Sequence, residues 1–456
     1  MSTPNIIFMI ADDHRHSAIN AVGNPEVKTP NLDSLIQQGT TLSHTYIMGS
    51  TSPAVCLPSR AMQLSGRSLF NACQPLDPTE AFPPYEFPEH VKLWPELLRE
   101  NGYHTHGIGK WHNPKADYAR CFDSGEAIFF RGMSDHYAVP IYDFDPSGEY
   151  SDDQCYTGEK FSTDLFTDAA TDFLDSYTED KPFAMYLAFT APHDPRTPPK
   201  EFCYDPDSVS LPKNFMTTHP FDNGVMDIRD EELASYPRNE ADIKQHIADY
   251  YGMISHLDDR IGQVLTALSK RNDAQNTIIV YTADHGLGVG QHALLGKQNM
   301  YEHSMCVPLI MAGPGIPKHQ QRDAFCYLYD IFPTLCELAD IAIPASNEGN
   351  SLLQLVQGKK QNHRSSIFAA YQSSYHLSVD SSYQRMVRRG DYKLIEYHVK
   401  GQYTNQLFNL KRDPHELDNL ADNSEFTELL ESLRLELRSW QHLTNDTCLL
   451  EATHKN

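Results

Sequence analysis

The sequence predicts an α/β protein with a doubly wound, mostly parallel central sheet. Three observations predict it. Short, continuously apolar runs read as strands buried on both faces. Segments of helical periodicity alternate with them. Three of the runs end in acidic or histidine residues, at the carboxyl ends where open α/β sheets place their ligands.

The first run, Asn5 to Ala11, ends in Asp12-Asp13. Thr29-Pro30-Asn31-Leu32-Asp33 opens a short helix, with Thr29 as cap and Pro30 at the first position. In Cys56-Leu57-Pro58-Ser59-Arg60, Pro58 suits the first turn of a helix, where its missing N–H costs nothing. That puts Cys56 just ahead of the helix, facing its orphan N–H groups and the positive end of its dipole. A nucleophile there adjoins an anion site with Arg60 beside it; a buried structural cysteine is the alternative. The middle of Gly102 to His112 is a short strand, and Lys110 and His112, two apart on extended chain, share a face.

Pro182 to Phe189 is a second buried strand and leads to Thr190-Ala191-Pro192-His193. The clearest helix runs from about Asp242 to Ser269, with Ile247, Tyr250, Ile254, Leu257, Ile261, Val264 and Leu268 on one face. Thr277 to Ala283 is a third strand, ending at Asp284-His285-Gly286, and Val307 to Met311 a fourth, closed by Gly313-Pro314-Gly315. Segments 113–160 and 194–240 lack periodicity, and loops of that length in a compact domain tend to be functional. They read as substrate-facing insertions, with plain surface loops as the alternative.

After Asn347 the texture changes. Arg385–Arg388, Tyr392–Ile395 and Gln406–Leu410 read as short alternating strands, followed by a charged helix around Ser424 to His442. The expected division is a catalytic α/β domain over 1–362 and a C-terminal α+β subdomain over 363–456, a small antiparallel sheet with a helix.

At 456 residues the chain can build one large core plus a smaller unit. Its net charge of −24, from 61 acidic and 37 basic residues, argues against nucleic acid or an anionic membrane as partner. An anionic substrate would need a locally positive site. No run approaches the roughly 18 apolar residues of a membrane span. The N-terminus has no basic region of the signal-peptide kind, so the sequence as it stands reads as cytoplasmic, or as periplasmic or secreted if a leader has been removed. Nine scattered cysteines suit reduced thiols better than a disulfide framework.

The Asp12-Asp13 and Asp284-His285 pairs at two strand ends suit a divalent metal better than two independent turns. Lys110 with His112 can converge on one ligand. The segment from Gly288 to Lys297 adds His292 and Lys297, the latter placed to neutralise an anion from the side opposite Lys110. His14 and Arg15, directly after the metal pair, are candidates for reading a second anionic group; a plain loop role is the alternative.

The Cys-x-Pro-Ser-Arg run with Gly66-Arg67 resembles the signature of the formylglycine-dependent (type I) sulfatases, of the alkaline-phosphatase-like superfamily. The Gly-Tyr-x-Thr…Gly-Lys-x-His element at 102–112, the Pro-His at 192–193, the Asp-His-Gly at 284–286 with a later Gly-Lys, and Asp413-Pro414-His415-Glu416 look like further motifs of that family, in its order. The resemblance implies an alkaline-phosphatase-like sandwich, with a large, mostly parallel sheet flanked by helices. It implies that a formylglycine-generating or sulfatase-maturating enzyme converts Cys56 to 3-oxoalanine (formylglycine).

By the same similarity Asp12, Asp13, Asp284, His285 and the modified Cys56 would hold the metal. Arg60 would hold the aldehyde hydrate, and Lys110 and Lys297 the sulfate oxygens. His112 would be the base on the hydrate, and His193 would serve the leaving oxygen. Three carboxylates plus oxygen from residue 56 suit Ca²⁺ or Mg²⁺, while the imidazole of His285 tilts toward Mn²⁺. The Asp-His pair departs from the Asp-Asn of several animal members and is shared with bacterial relatives.

The expected activity is hydrolysis of a sulfate ester on a carbohydrate, with the abundant Tyr and His suited to sugar rings and Arg15 and His292 lining the substrate. Alternatives are a phosphonate or phosphate ester hydrolase of the same superfamily, which the Gly-Lys-Trp-His element argues against, and an aryl or choline sulfatase. A non-catalytic domain binding a sulfated ligand, with Cys56 unmodified, is the remaining one.

Overall fold

In the computed structural model, which describes residues 3–72, 74–75, 85–373, 381–446 and 448, the apolar runs meet in one eight-stranded sheet. Its strands are β1 (Asn5–Ala11), β2 (Gly39–Leu42), β3 (His104–Lys110), β4 (Ser124–Phe129), β5 (Phe183–Ala188), β6 (Thr277–Ala283), β7 (Leu309–Ala312) and β8 (Gln320–Arg322). The order across the sheet is β8-β2-β7-β6-β1-β5-β3-β4. All neighbours pair in parallel except those of β7, which is antiparallel to both β6 and β2.

Helices cover the sheet in two groups. α1 (Pro30–Gln38) and α4 (Ser162–Ser176) both pack on the long α5 (Glu240–Ser269). The second group is α2 (Cys56–Ser65), α3 (Trp94–Glu100) and α6 (Ile331–Leu338), in mutual contact. Every residue of β1 and β5 is buried, as their unbroken apolar runs require. On one face Phe8 stacks on Tyr186 and packs against Trp94 of α3.

The register of the central strands builds the site. Ala11 lies opposite Ala283, and Ala188 opposite Gly109, so four adjacent strands end at one level. The strand ends and the chain continuing from them supply Asp12-Asp13, Asp284-His285, Lys110 and His193.

Several expectations are corrected. The run Val307–Met311 is two strands, because Pro308 lacks the N–H a continuous ladder needs. Cys306–Val307 pairs with Thr45–Tyr46 in a separate small sheet, and β7 alone joins the main one, reversed. The segment 113–160 is not all loop: it holds a helix over Lys115–Cys121 and the edge strand β4, whose polar start hid it from a search for apolar runs. Short β2 and β8 escaped for the same reason. The segment 194–240 carries only single 3₁₀ turns. Thr29 makes no side-chain cap; its hydroxyl donates to Asp33 instead, 3.1 Å away.

The C-terminal sheet consists of β9 (Ser366–Gln372), β10 (Tyr383–Arg389), β11 (Tyr392–Val399) and β12 (Gln402–Asn409), an antiparallel meander. Its fifth strand, Gly49–Ser50, comes from the N-terminal part of the chain. α7 (Thr427–Leu443) packs on β10 and β11, and Trp440 stacks on Phe368 of β9 at 5.3 Å. One apolar cluster runs from Ile6 to Trp440 through both sheets. All described cysteines are free thiols; Cys73 lies outside the described residues. Among the described residues no helix is long and apolar enough to cross a membrane.

Candidate active site

α2 begins at Cys56 itself rather than after it, so the side chain stands at the first turn of a helix buried at every residue but Leu57. Two further residues of that helix tie it to the strand ends. The Ser59 hydroxyl donates to the Asp284 carbonyl at 2.5 Å. Arg60 donates from Nε to Asp284 Oδ2 and from a terminal nitrogen to the Lys110 carbonyl, both at 2.8 Å. One arginine therefore spans the ends of β6 and β3 and orients Asp284.

Around Cys56 the strand ends deliver charge of both signs. One donor atom from each of Asp12, Cys56, Asp284 and His285 lies within 4.8 Å of the other three, and all four residues are buried. Lys110 donates to Asp12 and, at 2.5 Å, to the Gly132 carbonyl. Lys297 donates to Asp13 Oδ1 and to His193 Nε2, both at 2.9 Å. His112 Nδ1 lies 3.2 Å from Cys56 Sγ. Lys110 and His112 thus converge, but not by sharing a pleat: β3 ends at Lys110 and His112 has φ 50°.

The electrostatics follow from burial set against the neighbouring charges. Burial raises Asp12, Asp284 raises it further, and Lys110 only partly offsets them, leaving its carboxyl at about 7. Burial opposes charge on Asp284 too, yet His285 and Arg60 hold it well below the usual carboxylate range. Burial also raises the Cys56 thiol, and Lys110 and His112 more than reverse this, holding it well below the usual thiol range.

The residues fit a divalent cation. Asp12 Oδ1 and His285 Nε2 are buried with no hydrogen-bond partner, a state that costs free energy unless something else binds them. Clustered carboxylates repel one another, which a cation relieves. Carboxylate oxygens favour hard ions such as Ca²⁺ and Mg²⁺, and one imidazole is compatible with Mn²⁺.

The family model for sulfatases matches residues 4–341, nearly all of the α/β part. The chain belongs to the sulfatase family. A second model, N-sulphoglucosamine sulphohydrolase C-terminal, matches residues 290–442. Mouse arylsulfatase K is 28% identical over 474 residues, covering 96% of this chain and 79% of its own. The N-acetylglucosamine-6-O-sulfatase of Bacteroides thetaiotaomicron is 26% identical over 518 residues, covering 97% and 87%. Among solved structures, a protein in complex with its substrate D-glucosamine-2-N,6-O-disulfate superposes with a TM-score of 0.79 at 24% identity, covering 98% of this chain and 99% of that one. The enzyme is a sulfatase with the alkaline-phosphatase-like fold.

Not every predicted residue of this sulfatase joins the cluster. His292 is buried, stacked on Tyr301 at 3.9 Å and bonded to Asn214 at 3.1 Å. His14 turns into the core, with one ring nitrogen on the Tyr281 hydroxyl at 2.6 Å and the other on the Ala18 carbonyl at 3.0 Å. Arg15 is buried but makes no such bonds.

Other residues at the site gave no motif signal. The Tyr250 hydroxyl, on α5, donates to the Asp13 carbonyl at 2.7 Å and accepts from the Arg15 N–H. It was visible only as one member of an apolar helix face. Asp194, paired with Arg229 at 2.5 Å, lies 3.4 Å from His193 Nδ1. The pairing of residues 35 apart in an irregular segment has no sequence period to reveal it.

Proposed function

We propose that this sulfatase removes a sulfate ester from a carbohydrate of the glycosaminoglycan type, using a formylglycine hydrate made from Cys56. The observation that supports the reading most is the convergence on Cys56 of Asp12, Asp284 and His285 with Lys110 and His112. The substrate class is supported by the relative named for N-acetylglucosamine 6-O-sulfate and by the similar structure holding a disulfated glucosamine.

Asp12, Asp13, Asp284 and His285, with residue 56, would hold Ca²⁺, or Mg²⁺ or Mn²⁺, which supplies Lewis acidity toward sulfate oxygens and the nucleophile. The hydrate at position 56 supplies a nucleophile that can later release its sulfate by returning to the aldehyde, which a plain thiol or hydroxyl cannot do.

The chain's own residues do the rest. Cys56 Sγ marks where the hydrate oxygens stand. Arg60 fixes Asp284 and brings a guanidinium under that position. Lys110 and Lys297 place two ammonium groups about the sulfate, where charge builds on its oxygens during in-line displacement. His193, held by the Asp194 carbonyl at 2.7 Å, serves the departing alcohol oxygen by protonating it or by hydrogen-bonding to it. His112, 3.2 Å from the Sγ position, takes the proton of the second hydroxyl as sulfate leaves.

The test is turnover of an aryl sulfate, an aryl phosphonate and a sulfated glucosamine by protein from its native host. Sulfate release with negligible phosphonate cleavage supports the reading. Phosphonate turnover exceeding that of both sulfates overturns it in favour of the related hydrolase class.

A further inference from the structure

Two buried arginines beside the site make no close ion pair; the acids nearest Arg196 are Asp194 and Asp249, which feel its charge. Arg15 is 4% exposed and Arg196 9% exposed. Nε and Nη1 of Arg15, and all three guanidinium nitrogens of Arg196, are buried without a hydrogen-bond partner. Neither side chain makes an ion pair among the described residues. Both guanidinium groups lie over the ring of Tyr250, with Cζ 5.4 Å and 5.7 Å from its centroid.

Tyr250 ties this pair to the sulfate site, because its hydroxyl bonds the Asp13 carbonyl and the Arg15 N–H. Arg196 follows His193 by three residues, and Arg15 follows Asp13 by two. The nearby acids are already engaged: Asp194 by Arg229 at 2.5 Å, and Asp249 by Gln245 at 2.9 Å. Arg15, though not Arg196, also lines a cavity of about 660 Å³, whose wall carries Lys213 and His303 together with the carboxylates of Glu26, Glu302, Asp323 and Glu416.

A buried guanidinium without an anion is costly, and two at one tyrosine more so. Stacking on an aromatic face recovers little of that and leaves the N–H donors free. Planar forks of such donors match a carboxylate or sulfate in bidentate fashion.

We infer that Arg15 and Arg196 form a second anion site next to the ester site, so that the preferred sugar carries a second negative group, sulfate or carboxylate, near the scissile sulfate. The inference rests on the sulfatase reading above and specifies its substrate. A neutral aryl sulfate would leave both arginines unpaired.

The experiment is calorimetric binding to full-length Cys56→Ala protein in Ca²⁺, using sugar pairs that differ only in the second charge. Glucosamine-6-O-sulfate against glucosamine-2-N,6-O-disulfate tests a sulfate. A 2-O-sulfated uronic acid against its methyl ester tests a carboxylate. The expected result is a roughly 10- to 100-fold tighter Kd for the doubly charged member of at least one pair, the range of one or two charged hydrogen bonds. Adding Arg196→Gln should collapse that ratio toward one, and Arg196→Lys should keep part of it.

Equal affinities within both pairs would overturn the inference, as would a ratio that survives Arg196→Gln. Loss of affinity for both members alike would assign Arg196 a structural role and also overturn it. Wild-type sulfate release is measured separately: its absence defeats the proposed reaction without altering the binding ratios.

Discussion

At the scale of single residues the site is a set of opposed charges that burial would otherwise forbid. Cys56 sits where Lys110 and His112 favour an anion and where Asp12 and Asp284 could hold a cation. Three outcomes follow from the proposed chemistry. Peptide mass spectrometry of protein from its native host should find the aldehyde, not the thiol, at position 56. Cys56→Ala should lose at least ~10³-fold in kcat, since the nucleophile itself is gone. Chelation of divalent ions should abolish turnover and lower Tm, with Ca²⁺ restoring both, because a ligand bound only by the native state adds to its stability. Unchanged Tm and activity after exhaustive chelation would remove the cation from the account.

At the scale of elements, strand ends must align to bring those residues together. Gly109 shows how little slack exists. It has φ 81°, and a Cβ there would sit 2.0 Å from the Ala188 carbonyl oxygen on the adjacent strand β5. The pairing of β3 with β4 also shifts register between Ile108 and Gly109. Gly109→Ala should therefore cost about 1–3 kcal/mol from the backbone conformation alone, and more once β3 is pushed from β5. Urea unfolding measures the first effect. A larger fall in kcat than in stability would report the displacement of Lys110, the next residue.

At the scale of the whole molecule, a largely buried charge network joins the C-terminal sheet to the segment that leads into β7. Lys393 of β11 donates to Glu302 at 3.0 Å and to Glu416 at 2.7 Å, and Arg388 of β10 donates to Glu302 at 2.8 Å. Glu416 also accepts the Glu302 N–H at 2.9 Å. The Asp-Pro-x-Glu motif thus contributes a structural anchor in which Glu416 touches the core rather than the site. Lys393→Met leaves two carboxylates facing each other and should cost about 3–5 kcal/mol, as loss of one partner of a buried pair does. Burial raises Glu302, but Lys393 and Arg388 hold it down to about 2, against an unfolded value of about 4.3. Its depressed pKa means that the stabilisation is complete above about pH 4.3 and fades as pH falls toward 2. Acid unfolding followed by circular dichroism should show that contribution missing in Glu302→Gln.

How much was legible without coordinates differs by kind of signal. Runs buried on both faces are continuous apolar stretches, so β1, β5 and β6 could be read, and the polar residues after them stood out as candidates. The 3.6-residue period of α5 was equally plain, and local motifs marked Cys56, Lys110, His193 and Asp284. Edge strands β4 and β8 could not be read, because a strand exposed on one side lacks an unbroken apolar run. Nor could Pro308 tell by itself that the next strand would reverse direction.

The sequence by itself determined which chemical groups are available and that several stand at strand ends, since side-chain type and local periodicity are properties of the chain alone. Only the tertiary structure decided which groups meet: that Arg60 spans Asp284 and Lys110, that His14 and His292 turn into packed surroundings, and that Arg15 and Arg196 both lie over the ring of Tyr250. Those choices depend on register and on contacts between residues up to hundreds of positions apart, which no local pattern encodes.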